Sequence, residues 1–419
     1  VKGFQKISES DMLLLPDSNS VFLDPFFDDP ALSVFCDIAD PVKRAPYSRD
    51  PRGIARRAET FMRAQGIADN AFFGPEIEFF IFDEVSFDQA TQHGYYFLNS
   101  SAAFWSSGKK DGGPSLGHQA ARKQAYFAAP PMDHYNNLRS KISNVLRSTG
   151  IETELHHREV AAAGQCALGF RFGPLRLLAD AAIKYKYVVT NVVARFGKTA
   201  TFMPKPLRQE NGSGMHMNLS LWQGGKNLFY ERGGYADLSE TALHFIGGIL
   251  KHAGALCAFC SPSTNSYRRL VPGYEAPMNL IFSQRNRSAC IRIPIAGSTA
   301  KTKRIEFRTP DPSCNPYVGF AALLMAGLDG IRNRIQPPDA VDEDIYALAG
   351  TERGRAIERT PGSLDEAICA LEGDHDFLLE GGVFTQDVVN TWIEMKRANE
   401  IEYVNLRPHP GEFALYFNV

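Results

Sequence analysis

The sequence predicts an α+β fold, because strand-like and helix-like segments follow one another irregularly along a chain that is apolar enough to build a large core. Of its 419 residues, 44% are hydrophobic, and 45 Lys and Arg nearly balance 47 Asp and Glu. A nearly neutral, apolar chain of this kind can bury a core, which excludes intrinsic disorder. The segments lack the regular strand–helix–strand alternation of a doubly wound sheet, and no internal repeat of fixed period is evident.

The first half of the chain predicts helices around one long apolar strand. Ala, Phe and Met at helical spacing predict a helix over 51–67. An apolar run with alternating polar residues predicts a strand over 72–82. The stretch 83–123 is rich in Gly, Ser and aromatic residues and is expected to be irregular; long ordered loops of this kind are often functional. Further helices are predicted at 133–149 and 175–196, the second closed by a glycine.

The second half predicts strands that carry polar side chains and helices that are mostly apolar. Strands are predicted at 200–222, 289–295 and 303–308. A helix is predicted at 239–258, and another at 315–335, where Asn-Pro opens a nearly continuous run of small and apolar residues. The tail from residue 339 is expected to be helical with loops and to end in a short strand over 413–419, FALYFNV.

The composition limits which partners the protein can attract and which cellular compartment is expected for it. With a formal net charge of -2, the chain carries no global field that would attract nucleic acid. The most apolar region, residues 245–260, is interrupted by Lys251 and His252, so no membrane span is predicted. The seven cysteines are odd in number and spread along the chain, which predicts reduced thiols and a cytoplasmic location.

Two glutamates lie two residues apart in the predicted strand GPEIEFFIF. Strand alternation places Glu76 and Glu78 on one face, with their backbones roughly 6.5–7 Å apart. Carboxylates on an otherwise apolar strand are costly to bury unless they are paired or bound to a metal. The spacing suits two neighbouring cations, one for each carboxylate; an exposed sheet edge with two solvated glutamates is the alternative.

Two further segments carry polar residues that could join this pair. In HHREVAAAGQ, Glu159 precedes a run of small residues, a pattern that a solvated turn would also explain. In NGSGMHMNLS, a glycine turn whose backbone can approach a ligand closely leads into a strand. His216, Asn218 and Ser220 share one face of that strand, which favours a polar site over a single histidine satisfied in the core.

Arginines recur among apolar residues in three separate segments of the second half. They are Arg268, Arg269, Arg285, Arg287, Arg292, Arg304 and Arg308. Arginine binds carboxylate and phosphate through two parallel hydrogen bonds, so a convergent set predicts a polyanionic ligand, whereas an exposed face of alternating charge is the alternative. Carboxylates, arginines and one histidine are together typical of metal-assisted phosphoryl transfer. No GxxxxGK[ST] loop is present, so a P-loop enzyme is excluded.

These motifs, in this order and spacing, resemble those of bacterial type I glutamine synthetases over essentially the whole chain. The matching segments include GPEIEFFIFDE, HHREVAAAGQ, NGSGMHMNLSLW, NSYRRLVPGYEAP, NRSACIRIP and RIEFRTPDPSCNPY. The resemblance implies a ligase that uses ATP to join ammonium to the γ-carboxylate of L-glutamate through γ-glutamyl phosphate. It implies two or three Mg²⁺ or Mn²⁺ ions per site and a homo-oligomer, a dodecamer of two hexameric rings. The implied fold is a catalytic domain built on a curved antiparallel sheet or open barrel with helices.

The resemblance also assigns residues to roles. It gives one metal the ligands Glu76, His216 and Glu306, and a second metal the ligands Glu78 and Glu159. It gives glutamate binding to Asn211, Gly212, Arg269 and Arg308. It places Arg287 on the transferring phosphoryl group, and Glu275 as the flap residue that accepts a proton from ammonium. It gives nucleotide binding to Glu154, Asn218, Ser220, Arg292 and Lys301.

Three positions depart from the family pattern near the expected metals and nucleotide. The family has a third carboxylate for the second metal where this chain has Ala167, which predicts weakened or altered metal dependence there. Asn218 and Arg158 stand where many members have histidine. These changes leave two alternatives open: a γ-glutamyl-amine ligase that uses another amine, and a homologue of low activity with a regulatory role.

Two regions outside the main site also carry expectations from the resemblance. Tyr346 lies where regulated members carry the tyrosine that receives AMP, although the residues that follow it differ and an ordinary loop tyrosine is the alternative. Residues 1–47, which begin with short strands over 1–27, are expected to be the last part of a small β-grasp domain, and residues 48–419 the catalytic domain. In the family, an Asp-Gly-Ser-Ser loop earlier in the first domain reaches the neighbouring subunit's site and helps to bind ammonium.

Overall fold

One large sheet positions most of the polar residues singled out above. The computed structural model describes residues 11–108, 116–274, 276–284, 286–295, 299–343, 345, 348 and 351–419. The strands are β1 (Leu13–Pro16), β2 (Phe22–Asp24), β3 (Ala31–Ser33), β4 (Cys36–Ala39), β5 (Asn70–Phe82), β6 (Glu84–Gln89), β7 (Gly94–Asn99), β8 (Thr153–Arg158), β9 (Gln165–Phe170), β10 (Gly173–Pro174), β11 (Thr199–Thr201), β12 (Met215–Gln223), β13 (Lys226–Asn227), β14 (Asn279–Gln284), β15 (Ala289–Ile293) and β16 (Ile305–Phe307). The helices are α1 (Pro51–Ala64), α2 (Asn136–Ser148), α3 (Leu175–Arg195), α4 (Glu240–Lys251), α5 (Ala253–Cys260), α6 (Ser266–Arg269), α7 (Pro316–Arg332), α8 (Glu352–Ala356), α9 (Leu364–Gly373), α10 (Asp376–Leu379), α11 (Gln386–Lys396), α12 (Glu402–Asn405) and α13 (Pro410–Tyr416).

The sheet is open and mostly antiparallel. Its strand order is β14–β15–β16–β12–β5–β9–β8, with β10 and β11 also paired to β5 and β13 paired to β12. Only β14 and β15, among the pairs in the described part of the chain, run parallel. Because β14 and β8 end the path without pairing to each other within the described ranges, the sheet does not close into a barrel. The predicted α+β class is confirmed.

Helices cover one face of the sheet and leave the other face free for polar side chains. Alternation along β5 turns Ile77 and Phe79 toward the helices, and Glu76 and Glu78 to the opposite side. The Tyr185 hydroxyl of α3 donates to the Ile77 carbonyl at 2.9 Å. Residues 316–330 of α7 are all buried between the sheet and α1, α3 and α4, as their nearly continuous apolar sequence predicts.

The N-terminal strands form two small sheets of their own. Two of the short strands predicted within residues 1–27 exist, as β1 and β2. They do not pair with each other, because β1 pairs with β4 and β2 pairs with β3. Asp17 caps the short helical turn between β1 and β2 through its side chain. This turn sends the second strand away from the first, so each strand finds its partner later in the chain.

Three predicted elements differ from the structure. The stretch 83–123 contains the hairpin β6–β7, whose alternating aromatic and polar residues pair from Glu84–Asn99 to Gln89–Gly94. The helix predicted at 239–258 is broken at His252 into α4 and α5, which lie at 74° to each other. The terminal strand predicted at 413–419 is wrong, because residues 410–416 form α13, which begins with a proline and a capping box at His409.

No single helix in the described part of the chain has both the length and the apolar composition of a membrane span. The bent pair α4 and α5 meets that length and composition only when the two helices are taken together.

A buried arginine joins the N-terminal strands to the rest of the protein. Arg52, on α1, is only 3% exposed. Its guanidinium donates to Asp17 at 2.5 Å, to Asp37 at 2.7 Å and to both carboxylate oxygens of Asp180 at 3.0 Å. The hydrogen bonds of Arg52 and Arg176 hold the pKa of Asp17 well below its usual range. One side chain therefore links β1, β4, α1 and α3.

We predict that Arg52→Met destabilises the protein by about 3–5 kcal/mol, because it leaves Asp180 buried without its charged partner. Urea unfolding followed by circular dichroism measures the loss. Arg56→Met is the matched control on the same helix, since Arg56 is 45% exposed and its ion pair is with Asp37; it should cost at most about 1 kcal/mol. Equal losses for the two variants would contradict a linking role for Arg52.

Candidate functional site

The site is assembled by strand register, which brings side chains from distant segments to one face of the sheet. His216 of β12 lies directly opposite Glu76 of β5. On the other side of β12, Asn218 lies opposite Glu306 of β16, and Glu306 lies opposite Arg292 of β15. Because paired residues point to the same side of a sheet, these side chains converge without any long loop to place them.

A first cluster consists of Glu76, His216 and Glu306. Nδ1 of His216 lies 3.5 Å from Oε2 of Glu76 and 3.6 Å from Oε1 of Glu306. The three residues can each present one ligand atom within 4.8 Å of the others. This is the set that the family resemblance assigns to one metal.

A second cluster consists of Glu76, His157 and Glu159. Nε2 of His157 lies 3.6 Å from Oε1 of Glu76, and its Nδ1 lies 3.3 Å from Oε1 of Glu159. These three also present ligand atoms within 4.8 Å of one another. Glu76 is common to both clusters, and a third of its side chain is open to the cleft.

Glu78 lies beside the two clusters and is fixed by neutral donors. Its Oε2 accepts hydrogen bonds from Nε2 of Gln165 at 3.0 Å and from the backbone N–H of Gly214 at 2.8 Å. Its Oε1 lies 3.9 Å from Nε2 of His216. Across the sheet, Glu78 faces Ala167 of β9, and Ala167 in turn faces His157 of β8. The methyl group of Ala167 therefore lies between Glu78 and His157 in this line of paired residues.

The carboxylates compete electrostatically. Burial opposes ionisation of Glu76, but His157 and His216 outweigh it and hold its pKa well below the usual range. Burial likewise opposes ionisation of Glu306, but the charges of Arg308, His216 and Arg292 outweigh it, so the pKa of Glu306 is lowered.

The other two carboxyl groups of the site have raised pKa values. Burial raises the pKa of Glu78. Burial and the charges of Glu78 and Glu76 raise the pKa of Glu159 well above its usual value.

These residues fit divalent cations. Carboxylate oxygens are ligands of Mg²⁺ and Mn²⁺ sites, and an imidazole nitrogen can complete the ligand set of a transition ion such as Mn²⁺, with bonds of about 2.0–2.2 Å. Nδ1 of His216 lies 3.5–3.6 Å from both carboxylates of the first cluster, so these donor atoms can converge on one ion at such bond lengths, and the second cluster also offers one donor atom per residue within 4.8 Å. A cation would also relieve the repulsion that raises the pKa of Glu159, because an opposite charge favours the ionised carboxylate.

Arginines line the side of the site next to Glu306. Arg308 donates to Oε1 of Glu306 at 2.5 Å, and Arg292 donates to Oε2 at 2.7 Å. Nε of Arg308 donates to the carbonyl of Arg287 at 3.1 Å, and the Arg287 guanidinium lies over the ring of Tyr126, 5.4 Å from its centroid. These groups present positive charge next to the carboxylates, as binding a polyanion between cations and arginines requires.

Arg269 and the glycine turn form the floor. The buried Arg269 guanidinium donates to the carbonyls of Thr309 at 2.7 Å and of Arg308 at 3.0 Å. A Cβ on Gly212 would lie 2.4 Å from the Pro204 carbonyl oxygen. A Cβ on Gly214 would lie 2.7 Å from both Nη2 of Arg269 and Nε2 of His216. Only glycine lets the turn pass this close to both side chains.

Most of the sequence-predicted residues line one cavity of about 250 Å³. They are Glu76, Glu78, Glu159, Asn211, Gly212, His216, Arg269, Arg287, Arg292, Glu306 and Arg308. Glu159 is buried at the end of β8, so the solvated turn considered for it is ruled out by its burial. The cavity is polar on all sides that carry these residues, and it is large enough for a small charged substrate.

Four other predicted residues lie outside this cavity. Glu154 lines a separate cavity of about 390 Å³ next to α2. Asn218 accepts from Nε of Arg304 at 2.9 Å and donates to the carbonyl of Gly74 at 3.2 Å. Ser220 is buried and accepts from Nε1 of Trp222 at 2.9 Å. Lys301 is exposed in a short helical turn. Glu275 and Tyr346 lie outside the described residues.

Several residues that belong to the site received no role from their sequence pattern. His157 and Gln165 line the cavity, and so do Tyr126 and Phe127. The signal for His157 was available, because it stands two residues before Glu159 and shares its strand face, as Glu76 does with Glu78. No pattern marked Tyr126 and Phe127, since they follow the irregular stretch 83–123.

Comparisons with known proteins agree with this arrangement. The family described as "Glutamine synthetase, catalytic domain" matches residues 48–416, and "Glutamine synthetase, beta-Grasp domain" matches residues 1–41. The chain is similar to the glutamine synthetase of Frankia alni, at 54% identity over 100% of this chain and 88% of the relative, and to that of Mycobacterium bovis, at 51% over 100% and 88%. It is similar in structure to a Plasmodium falciparum glutamine synthetase, at 30% identity and a TM-score of 0.89, covering 98% of this chain and 87% of the other.

We predict that Gly214→Ala displaces His216 and Arg269 together and weakens Mn²⁺ binding at the first cluster by about tenfold or more. Isothermal titration calorimetry with Mn²⁺ measures the change. Gly373→Ala is the control, because a Cβ there meets nothing within 4 Å. Unchanged Mn²⁺ affinity in Gly214→Ala would show that the close approach does not position the histidine.

Proposed function

The chain belongs to the glutamine synthetase family, and from that premise we propose how its described residues divide the work. It is a glutamate–ammonia ligase, which uses ATP to join ammonia to the γ-carboxylate of L-glutamate and releases glutamine, ADP and phosphate. The γ-glutamyl-amine ligase and the regulatory homologue are not favoured, because relatives at 50% identity or more along the whole chain are named glutamine synthetase.

The single observation that carries the chemical proposal is the convergence of carboxylates and arginines around one cavity. A γ-carboxylate is a poor electrophile, so its phosphorylation by ATP supplies a leaving group before ammonia attacks. Divalent cations, when bound, neutralise charge on the transferring phosphates. We assign one cation to Glu76, His216 and Glu306, and a second to Glu159 with Glu78, as Mg²⁺ or Mn²⁺.

The arginines are assigned by their positions around the cavity. Arg287 and Arg292 lie on the side of Glu306 where phosphate oxygens would meet both arginine and cation, and we assign Arg287 to the transferring phosphoryl group. Arg269 and Arg308 lie next to the glycine turn, and with Asn211 and the Gly212 backbone we assign them to glutamate. Fixed donors of this kind stabilise developing charge without reorganising during the reaction.

Nucleotide and ammonium contacts complete the proposal. We assign the nucleotide to the side of the sheet that carries Arg292, Asn218 and Ser220, together with Glu154 and Lys301.

For ammonium, we propose Glu275 as the proton acceptor. Its neighbour Tyr274 lines the cavity and lies between the ammonium groups of Lys123 and Lys205, 4.0 and 3.8 Å from its ring centroid. These cation–π contacts hold the ring of Tyr274, the residue before Glu275 in sequence, at the cavity.

We further propose that the chain works as a homo-oligomer, a dodecamer of two hexameric rings. Apolar side chains are exposed on the hairpin, at Phe87 and Tyr96, and at the C-terminus, at Leu406, Leu415 and Phe417. Large exposed apolar side chains grouped on one hairpin and one terminal segment support an interface at these places. A second copy of this chain is the partner that the proposal requires.

Three other assignments stay proposals. A cytoplasmic location is supported by seven cysteines that are all free thiols. The domain boundary is proposed between residues 47 and 48, just before α1. Arg52 of α1 then joins the two domains through its ion pairs with Asp17 and Asp37. Adenylylation of Tyr346 rests on its sequence position alone.

Ammonium is expected to be the preferred amine. Purified protein with ATP, L-glutamate and Mn²⁺ should form glutamine, ADP and phosphate in equal amounts, detected by mass spectrometry. Methylamine, ethylamine and ethanolamine, each tested at the same concentration, should give at least about tenfold lower kcat/KM. Faster amide formation with any of these amines would contradict the assignment, and so would a failure to turn over ammonium.

Arg308→Lys should lower kcat/KM for glutamate by about a hundredfold, or ~2.7 kcal/mol at 1.36 kcal/mol per decade. Lysine keeps the charge but cannot bond both Glu306 and the Arg287 carbonyl from one planar group. Arg171→Lys, in an exposed ion pair with Glu152, is the matched control and should stay within twofold. Equal activity in the two variants would contradict the placement of Arg308.

A further inference from the structure

We propose that His157 is a ligand of the second divalent cation, in place of the carboxylate that position 167 lacks. The inference rests on the metal roles proposed above and changes the donor set of one of the two ions. The cation would be held by Glu76, His157 and Glu159, one nitrogen and two oxygens, and not by glutamates alone. Glu78 would remain next to this set, fixed by Gln165 and Gly214.

The strand register supplies the first argument. Ala167 of β9 lies directly opposite both Glu78 and His157, so a carboxylate at 167 would project between these two side chains. With alanine there, a buried methyl group takes its place. His157 faces that methyl group across the strand pair, and it can present a ligand atom within 4.8 Å of ligand atoms of Glu76 and Glu159.

The orientation of the ring supplies the second argument. Nδ1 of His157 lies 3.3 Å from the main-chain carbonyl oxygen of Arg158. A carbonyl only accepts, so Nδ1 carries a proton in this contact, and Nε2 is the nitrogen whose lone pair a cation would bind. Nε2 lies 3.6 Å from Oε1 of Glu76. A histidine that donates through one nitrogen to a carbonyl while the other faces acidic ligands has the usual arrangement of a metal ligand.

The packing around the ring holds it in this orientation. The ring of Phe127 stacks on His157 with centroids 4.4 Å apart and planes at 15°, and the ring of Tyr126 meets its edge at 5.8 Å. His157 is only 8% exposed. The next residue, Arg158, is anchored by donating to the carbonyls of Ala102 and Ala162. A ligand whose rotamer is locked in this way loses little freedom when it binds an ion.

The donor set predicts the ion. Oxygen ligands alone suit Mg²⁺, whereas an imidazole nitrogen favours Mn²⁺ and other transition ions. The second cluster should therefore discriminate against Mg²⁺ more strongly than a site built from three carboxylates. This is a specific form of the altered metal dependence expected from Ala167.

The test uses the full chain loaded with Mn²⁺ alone. Pulsed electron paramagnetic resonance counts ions that carry a directly bound imidazole nitrogen, and calorimetry gives the two affinities. In the unchanged protein we expect two such ions per chain. His157→Ala should leave one, the ion at His216, and should weaken the second affinity by about tenfold or more. If the alanine variant does not fold, His157→Gln, whose side chain has a similar volume, replaces it in the test and should show the same loss of nitrogen coupling.

Restoring the carboxylate distinguishes a ligand from a structural residue. His157→Gln with Ala167→Glu should recover the second affinity without recovering the nitrogen signal, and Mg²⁺ should now compete with Mn²⁺ at least about tenfold better. His156→Ala is the matched control, because the neighbouring ring bonds Ser140 and Arg139 instead. It should change neither signal nor affinity.

Two results would overturn parts of the account separately. If His157→Ala keeps both nitrogen-coupled ions at unchanged affinity, His157 is not a ligand and this inference fails alone. If the unchanged protein binds no nitrogen-coupled Mn²⁺, the metal roles proposed for His216 and its neighbours fail as well.

Discussion

The crowding of carboxylates on one face of a buried sheet is the constraint on which the rest of the site depends. Strand register alone brings Glu76, Glu306 and His216 together, and the end of β8 adds Glu159. Burial, with the charges of Glu78 and Glu76, raises the pKa of Glu159. Like charges this close are tolerated only when positive charge is placed among them. The arginines and the divalent cations of a ligase that transfers phosphate meet this requirement.

The same constraint explains why the surroundings are rigid. Gln165 and the Gly214 N–H hold Glu78 in one orientation, and helices α3 and α7 pack the opposite side of β5. Arg158 is fully buried and donates to main-chain carbonyls, which ties the segment after β8 to the residues around 102. Charged groups can be kept at fixed distances only if the backbone that carries them cannot relax, because relaxation would let them separate and solvate.

Sequence patterns predicted those parts of the site that follow from strand alternation. They failed where an irregular strand register, local helix capping or a distant side-chain partner decides the structure. Glu76 and Glu78 could be placed on one face because side chains alternate along a strand and β5 pairs with β12 and β9 without a register shift. The strand β8 was missed because TELHHR has no such alternation and a bulge near Thr153 interrupts its register, so His157 received no role. The terminal FALYFNV alternates like a strand, but local capping and its proline make it helical. Asn218 has the predicted face, yet its partner Arg304 could not be inferred from spacing.

The central claim is that this carboxylate cluster is a pair of cation sites sharing Glu76. Diffraction from crystals of the protein grown with Mn²⁺, measured at the manganese absorption edge, tests it most directly. The account predicts two anomalous peaks per chain, one bonded to His216 and Glu306 and one bonded to His157 and Glu159, with Glu76 between them. A single peak, or two peaks that do not share Glu76, would contradict it, and a second peak bonded to Glu78 and Glu159 with His157 turned away would contradict the role of His157.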